Sequence, residues 1–280
     1  MKANSKHPRR RLTAIAAALV VAAIVSVGSS ALASSHPART AQAKPKPTIV
    51  LVHGGWADSS GWNSEVAALE RLGYPVIAPA NPLRGLASDA AYIRSILKTI
   101  AGPIVLVGHS YGGAVITNAG VGLPNVKALV YIAGFAPDKG ESLAQLVTMN
   151  PESEIMQNVI ARKYPLPGGG EGTDLYLTEH GFETAFASDL PKSVADQMWA
   201  EQRPFSLAAF DSKSGEPAWK TIPSWYLVST EDHAIPPKTQ EFMAARAHAH
   251  VYKVSASHVL MISHPAATLK MILAAAKSVS

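Results

Sequence analysis

Short runs of β-branched and aliphatic residues alternate along the chain with longer stretches of helical periodicity. The short runs are Thr48 to Val52, Val76 to Ala78, Ile104 to Val107, Val126 to Ile132, Trp225 to Ser229 and His250 to Val254. Most are apolar at successive positions rather than alternate ones, the pattern of strands covered on both faces of a parallel sheet. Between them, Asn63 to Leu72 and Ser88 to Ala101 carry apolar residues at helical spacing. Each stops at a glycine, Gly73 or Gly102, able to take the conformation that ends a helix. A further apolar helix is expected from about Gly113. This order predicts an α/β fold: a mostly parallel sheet of about six core strands, flanked by helices and joined by right-handed crossovers.

The rhythm breaks over residues 137 to 221. Helical patches are expected around Glu152 to Arg162, Gly172 to Phe186 and Ser193 to Ala200, with no parallel strand among them, so this stretch reads as an inserted helical cap. Inside it lies Pro165-Leu166-Pro167-Gly168-Gly169-Gly170. No strand precedes these glycines and no Lys-Ser/Thr follows them, so a lid loop is expected rather than a phosphate cradle.

A chain of 280 residues, 48% hydrophobic, can bury one sizeable core, placed at residues 48 to 280. The formal charge of +5 suggests a basic protein until its position is read. Lys2, Lys6, Arg9, Arg10 and Arg11 account for all of it, and residues 34 to 280 are formally neutral. A nucleic-acid partner would need a basic face on the folded part, and none is available. The front segment has the form of an export signal: a basic start, an apolar run from Leu12 to Val27, and Ala31-Leu32-Ala33 as a cleavage site. Residues 1 to 33 are therefore expected to be removed and the product secreted. The 16-residue run falls short of the roughly 20 apolar residues of a spanning helix, so no stable membrane anchor is expected. Arg9-Arg10-Arg11 fits twin-arginine as well as general export. Residues 34 to 47, ending Lys44-Pro45-Lys46-Pro47, read as a linker. The absence of cysteine rules out disulfides, thiolate zinc sites and a thiol nucleophile.

Candidate chemistry centres on Gly108-His109-Ser110-Tyr111-Gly112, which directly follows one predicted strand and directly precedes a predicted helix. A serine held on so sharp a turn needs small neighbours so that strand and helix can close around it. Its hydroxyl needs a base, and the base an orienting acid. Asp232 and His258 each follow a predicted strand at its C-terminal end, where such sheets build their sites. They are the expected acid and base, with Glu231 and Asp138 as alternative acids and His264 as an alternative base. The turn His53-Gly54-Gly55-Trp56 ends the first strand, and the backbone N–H of Gly55, or alternatively Trp56, joins that of Tyr111 as an expected oxyanion donor. His248-Ala249-His250 lacks a third ligand, so no metal is expected. No dinucleotide fingerprint follows the first strand, and no cofactor is expected.

The segments Val52 to Trp56, Gly108 to Gly113, Ala133 to Asp138 and Ser229 to Pro236, in this order, resemble the α/β-hydrolase superfamily. The likeness is to small bacterial carboxylesterases related to plant methyl-ester esterases and hydroxynitrile lyases, and it spans about residues 48 to 277. It implies a cap over the site, a Ser-His-Asp triad and no cofactor, and the substrate is expected to be a small-molecule ester, small to medium in size and apolar or aromatic. The lyase branch places a lysine after its histidine, where this chain has Val259, which disfavours the lyase. Branches with an aspartate nucleophile are disfavoured by Ser110. Other acyl hydrolases on the same triad, acting on lactones or thioesters or as perhydrolases, and a ligand-binding protein without turnover remain the alternatives. Met149, Met156, Phe182, Phe186, Trp199 and Phe210 are candidate pocket residues from the cap.

Overall fold

The computed structural model describes residues 45–279, so the expected export signal and all but the last residues of the linker lie outside the described residues. Four strands precede the insertion: β1 (Thr48–Val52), β2 (Val76–Ile77), β3 (Ile104–His109) and β4 (Val126–Ile132). The insertion contributes β5 (Val159–Pro165), β6 (Glu171–Leu177) and β7 (Phe205–Ser206), and the chain returns through β8 (Ser224–Ser229) and β9 (His250–Val254). Six strands form one sheet in the order β2-β1-β3-β4-β8-β9, and every pairing is parallel. The continuous apolar runs have their expected consequence: β1, β3 and β8 are buried at every position. The edge strand β9 is the exception, with Val251 and Tyr252 exposed.

The helices are α1 (Asn63–Arg71), α2 (Leu86–Leu97), α3 (Tyr111–Ala119), α4 (Leu143–Thr148), α5 (Glu179–Gly181), α6 (Lys192–Glu201), α7 (Leu207–Asp211), α8 (Pro237–Arg246), α9 (Leu260–Ser263) and α10 (Pro265–Ser278). Against the sheet, α2 packs with α3 and α1 with α10. The chain leaves β1 for β2 on one side and then crosses to β3 on the other. That reversal opens a crevice at the C-terminal ends of β1 and β3, where doubly wound sheets bind ligands.

The insertion corrects one expectation. It is not purely helical, because β5, β6 and β7 make a three-stranded antiparallel sheet where helical patches were expected around Glu152 to Arg162 and Gly172 to Phe186. Ser193 to Ala200 is helical as expected, within α6. Most of β5 is exposed, so no buried face imposes a period of two on its sequence. The glycine run forms the tip of the hairpin instead of a loose loop. Leu166 N–H donates to Gly170 O at 3.1 Å, and Gly169 and Gly170 take φ of 88° and 84°, which glycine adopts without strain. The insertion is tied to the sheet domain by Trp56 Nε1 donating to Leu175 O at 2.9 Å, the Arg84–Asp174 ion pair at 2.8 Å, and Ser206 N–H donating to Leu83 O at 3.0 Å.

Candidate active site

Ser110 sits between β3 and α3 with φ 50° and ψ −124°, a left-handed conformation that costs a non-glycine residue about 1–3 kcal/mol. The glycines around it make the turn possible. A Cβ on Gly108 would stand 2.5 Å from Gly112 O, and one on Gly54 would stand 2.7 Å from Ser110 Cβ. The carbonyl of Ser110 accepts from Gly113 N–H at 2.9 Å and Phe135 N–H at 3.0 Å, which fixes the turn from both sides.

His258 and Asp232 meet as expected. His258 Nδ1 is 2.7 Å from Asp232 Oδ2, and both side chains are buried. Asp232 Oδ1 accepts from the N–H groups of Ala234 and Ile235, each at 2.8 Å, while Gln240 Nε2 donates to Oδ2 at 2.8 Å. With every neighbour a donor, the carboxylate requires the Nδ1–H tautomer of His258 and leaves Nε2 as the free ring nitrogen. The alternative acids and base have other surroundings. Glu231 is exposed with Thr230 on its carboxylate, and Asp138 pairs with Lys220 at 2.7 Å. His264 caps α10 and is part-exposed, 2.9 Å from Ser263 Oγ.

Gln240 was not found from the sequence, and neither was Asp189. Gln240 also donates to Ile235 O at 2.8 Å and accepts from Ser229 N–H at 3.1 Å, tying the end of β8 to the acid loop. Asp189, from the insertion, accepts from Ser257 N–H at 3.0 Å and Ser257 Oγ at 2.5 Å, directly before His258. Nothing in the local sequence marks either, since both act across the fold.

Two further histidines hold backbone. Asn81 N–H donates to His53 Nε2 at 2.8 Å, so the proton is on Nδ1, which donates to Gly54 O at 2.9 Å and pins the glycine turn. Burial lowers the pKa of His53. His109 Nε2 donates to His258 O at 2.9 Å, and burial followed by the neighbouring His258 lowers its pKa well below the ordinary value.

Ser110 and His258 line one small cavity, with Gly55, Trp56 and Tyr111 also on its wall. No hydrogen bond joins the serine to the histidine in this structure. Tyr111 opens α3, and the first N–H groups of a helix have no partner within it. Its phenol donates to Asp89 Oδ2 at 2.7 Å, and burial raises the pKa of both groups. Gly55 lies against Phe205, whose ring would be 2.9 Å from a Cβ there. The remaining wall is apolar, from Phe135, Leu143, Val147, Ile155, Phe205 and Phe210 among others. Of the expected cap residues, Phe210 lines the cavity and Phe186 lies tilted against His258, ring centroids 5.1 Å apart, with Phe182 in contact with Phe186. Met149, Met156 and Trp199 are exposed. Among the described residues, one acidic group close enough to share a cation is Glu179, Glu183 and Asp196, and Lys192 already bonds all three.

The alpha/beta hydrolase family model matches residues 49–271, and the chain belongs to that family. A carbendazim hydrolyzing esterase of Nocardioides sp. is 30% identical over 180 residues, covering 58% of this chain and 71% of that protein. A putative chloroplastic methylesterase 11 of Arabidopsis thaliana is 26% identical over 261 residues, covering 82% of this chain and 64% of that one. Among solved structures, polyneuridine aldehyde esterase superposes with a TM-score of 0.71 at 20% identity, covering 82% of this chain and 98% of its own.

Proposed function

We propose that the chain is a serine carboxylic-ester hydrolase working through Ser110, His258 and Asp232. The observation that carries this is a histidine bonded to a buried carboxylate and sharing one apolar cavity with a serine on a strained turn. Ser110 Oγ attacks the ester carbonyl carbon as His258 Nε2 takes its proton, and Asp232 steadies the imidazolium through Nδ1–H. The N–H groups of Gly55 and Tyr111 donate to the oxyanion. Collapse expels the alcohol, which receives the proton from Nε2 and leaves an acyl ester on Ser110. Water then attacks that ester with His258 again as base, releasing the acid and restoring the serine.

The relatives named for esterase activity support the reaction class. The apolar lining of the cavity supports small to medium apolar or aromatic esters. A p-nitrophenyl ester series of increasing chain length tests the reading: turnover should be well above that of Ser110→Ala, and equal rates would sink it. We further propose that residues 1 to 33 are removed on export, leaving a secreted enzyme with no membrane anchor. N-terminal sequencing of protein from the medium should begin near Ser34, and a chain still starting near Met1 refutes this.

A further inference from the structure

The reaction cavity is nearly closed. Ser110 is 6% exposed and His258 1%, so a substrate needs a way in. A larger groove, open to solvent, lies beside it. Asp58, Asn63 and Glu201 make part of its lining polar, and its apolar strip is Trp56 and Ala57 from the turn after β1, Met198 from α6, and Met261 and Ile262 from α9. Trp56 borders both spaces.

Three observations single out Trp56. Its φ of 55° is a conformation that a bulky residue keeps only when its surroundings impose it. Its ring stands edge-on to Phe186 at 6.1 Å and Phe205 at 5.3 Å, and its Nε1–H donates to Leu175 O at 2.9 Å. All three holding residues belong to the insertion, so the position of this wall depends on how the insertion sits.

We propose that the Trp56 side chain is a movable partition, and that the groove beyond it is a subsite for the alcohol portion of apolar esters too long for the reaction cavity. This rests on the esterase reading above. The assignment to the alcohol follows from where the groove lies. Met261 and Ile262 come three and four residues after His258, whose Nε2 must reach the alkoxide oxygen as the alcohol departs. The groove is therefore built in part by the helix that follows the base, whereas α4 and α7 close the cavity through Leu143, Val147 and Phe210. A short alcohol fits with the partition in place. A long one requires the indole to swing aside, which joins the two spaces and lays the chain along Met198 and Ile262.

The test compares kcat/KM for ethyl acetate, octyl acetate and ethyl octanoate in the full chain and in two variants that fill the groove from opposite walls, Met198→Trp and Ile262→Trp. The expected result is a loss of about tenfold for octyl acetate relative to ethyl acetate, the equivalent of roughly two methylenes leaving an apolar site. The ratio of ethyl octanoate to ethyl acetate should stay as in the parent. Trp56→Leu should move the octyl acetate ratio the other way. An equal loss on ethyl octanoate overturns the assignment to the alcohol, and unchanged ratios in both groove variants overturn the subsite. Because the variants lie on different elements, a folding failure in one leaves the other to decide. Turnover of ethyl acetate no faster than with Ser110→Ala would instead remove the esterase reading on which the subsite depends.

Discussion

Asp232 and Glu65 are both carboxylic acids withdrawn from water, 3% and 0% exposed, and they meet opposite surroundings. Asp232 lies on the loop after β8, where two backbone N–H groups, an amide and an imidazole converge on it at 2.7 to 2.8 Å. Glu65 lies in the first turn of α1, and neither of its oxygens has a hydrogen-bond partner on any other residue described. Burial pushes the pKa of Glu65 up to about 8. A buried carboxyl is thus not itself a sign of chemistry. Donors that point at both of its oxygens make Asp232 a fixed acceptor able to orient a base, and their absence makes Glu65 an acid that keeps its proton.

The hardest blow to this contrast is Asp232→Asn. The amide keeps the shape but offers an N–H₂ group toward neighbours that are all donors, and His258 loses the partner that selects its tautomer. We expect kcat to fall by about 10⁴-fold with the fold intact. Turnover of a p-nitrophenyl ester, beside near-ultraviolet circular dichroism of the same sample, measures both. A fall of less than tenfold would mean that Asp232 does not orient the base.

A smaller loss is expected when the acid is left in place and only its support is removed. Gln240→Leu deletes the amide donor to Asp232 Oδ2 and orphans Ser229 N–H. One hydrogen bond to a charged group is worth about 1.5–3 kcal/mol, so kcat should drop roughly ten- to a hundredfold, with KM little changed. Gln240→Glu should do worse, since it can still accept from Ser229 while setting a second carboxylate against the first. If Gln240→Glu matches the parent, the amide is only filling space. Steady-state kinetics of the pair against the parent enzyme decides.

The same contrast explains what could be read from the chain beforehand. β1 and β4 begin and end where the apolar runs do, because a run buried on both faces needs no distant partner to be recognised. Ser110, Asp232 and His258 were legible for a related reason: each follows a strand, and the sheet order brings those strand ends to one edge. The insertion was not legible. The hairpin of β5 and β6 is held by pairing between segments whose side chains are largely exposed, which leaves no local signature. Gln240 and Glu65 sit in helices whose local sequence gives each the character of a surface residue. Only packing against the acid loop in one case, and against α10 and its neighbours in the other, takes them out of water.

Glu65 offers the mildest test, and one that reads stability rather than turnover. Its folded pKa of about 8 lies above the ordinary 4.5 of a glutamate, so between those values the folded state holds a proton that the unfolded chain has released. Stability from this group is therefore fully present below about pH 4.5 and is lost as pH rises through about 8. Glu65→Gln keeps the shape and removes the titration. Parent and variant should melt together near pH 5 and separate on going to pH 9, with the variant higher by about 10 °C, at about 1.4 kcal/mol per pH unit of the window and roughly 2–4 °C per kcal/mol for a domain of this size. Activity at pH 7 should hardly change, because Glu65 is not on the wall of the reaction cavity. Thermal melts at pH 5, 7 and 9 provide the comparison. A gap that stays constant with pH would show that Glu65 is already ionised in the folded state. Its surroundings would then have to supply donors as those of Asp232 do, and the contrast between the two carboxyls would collapse.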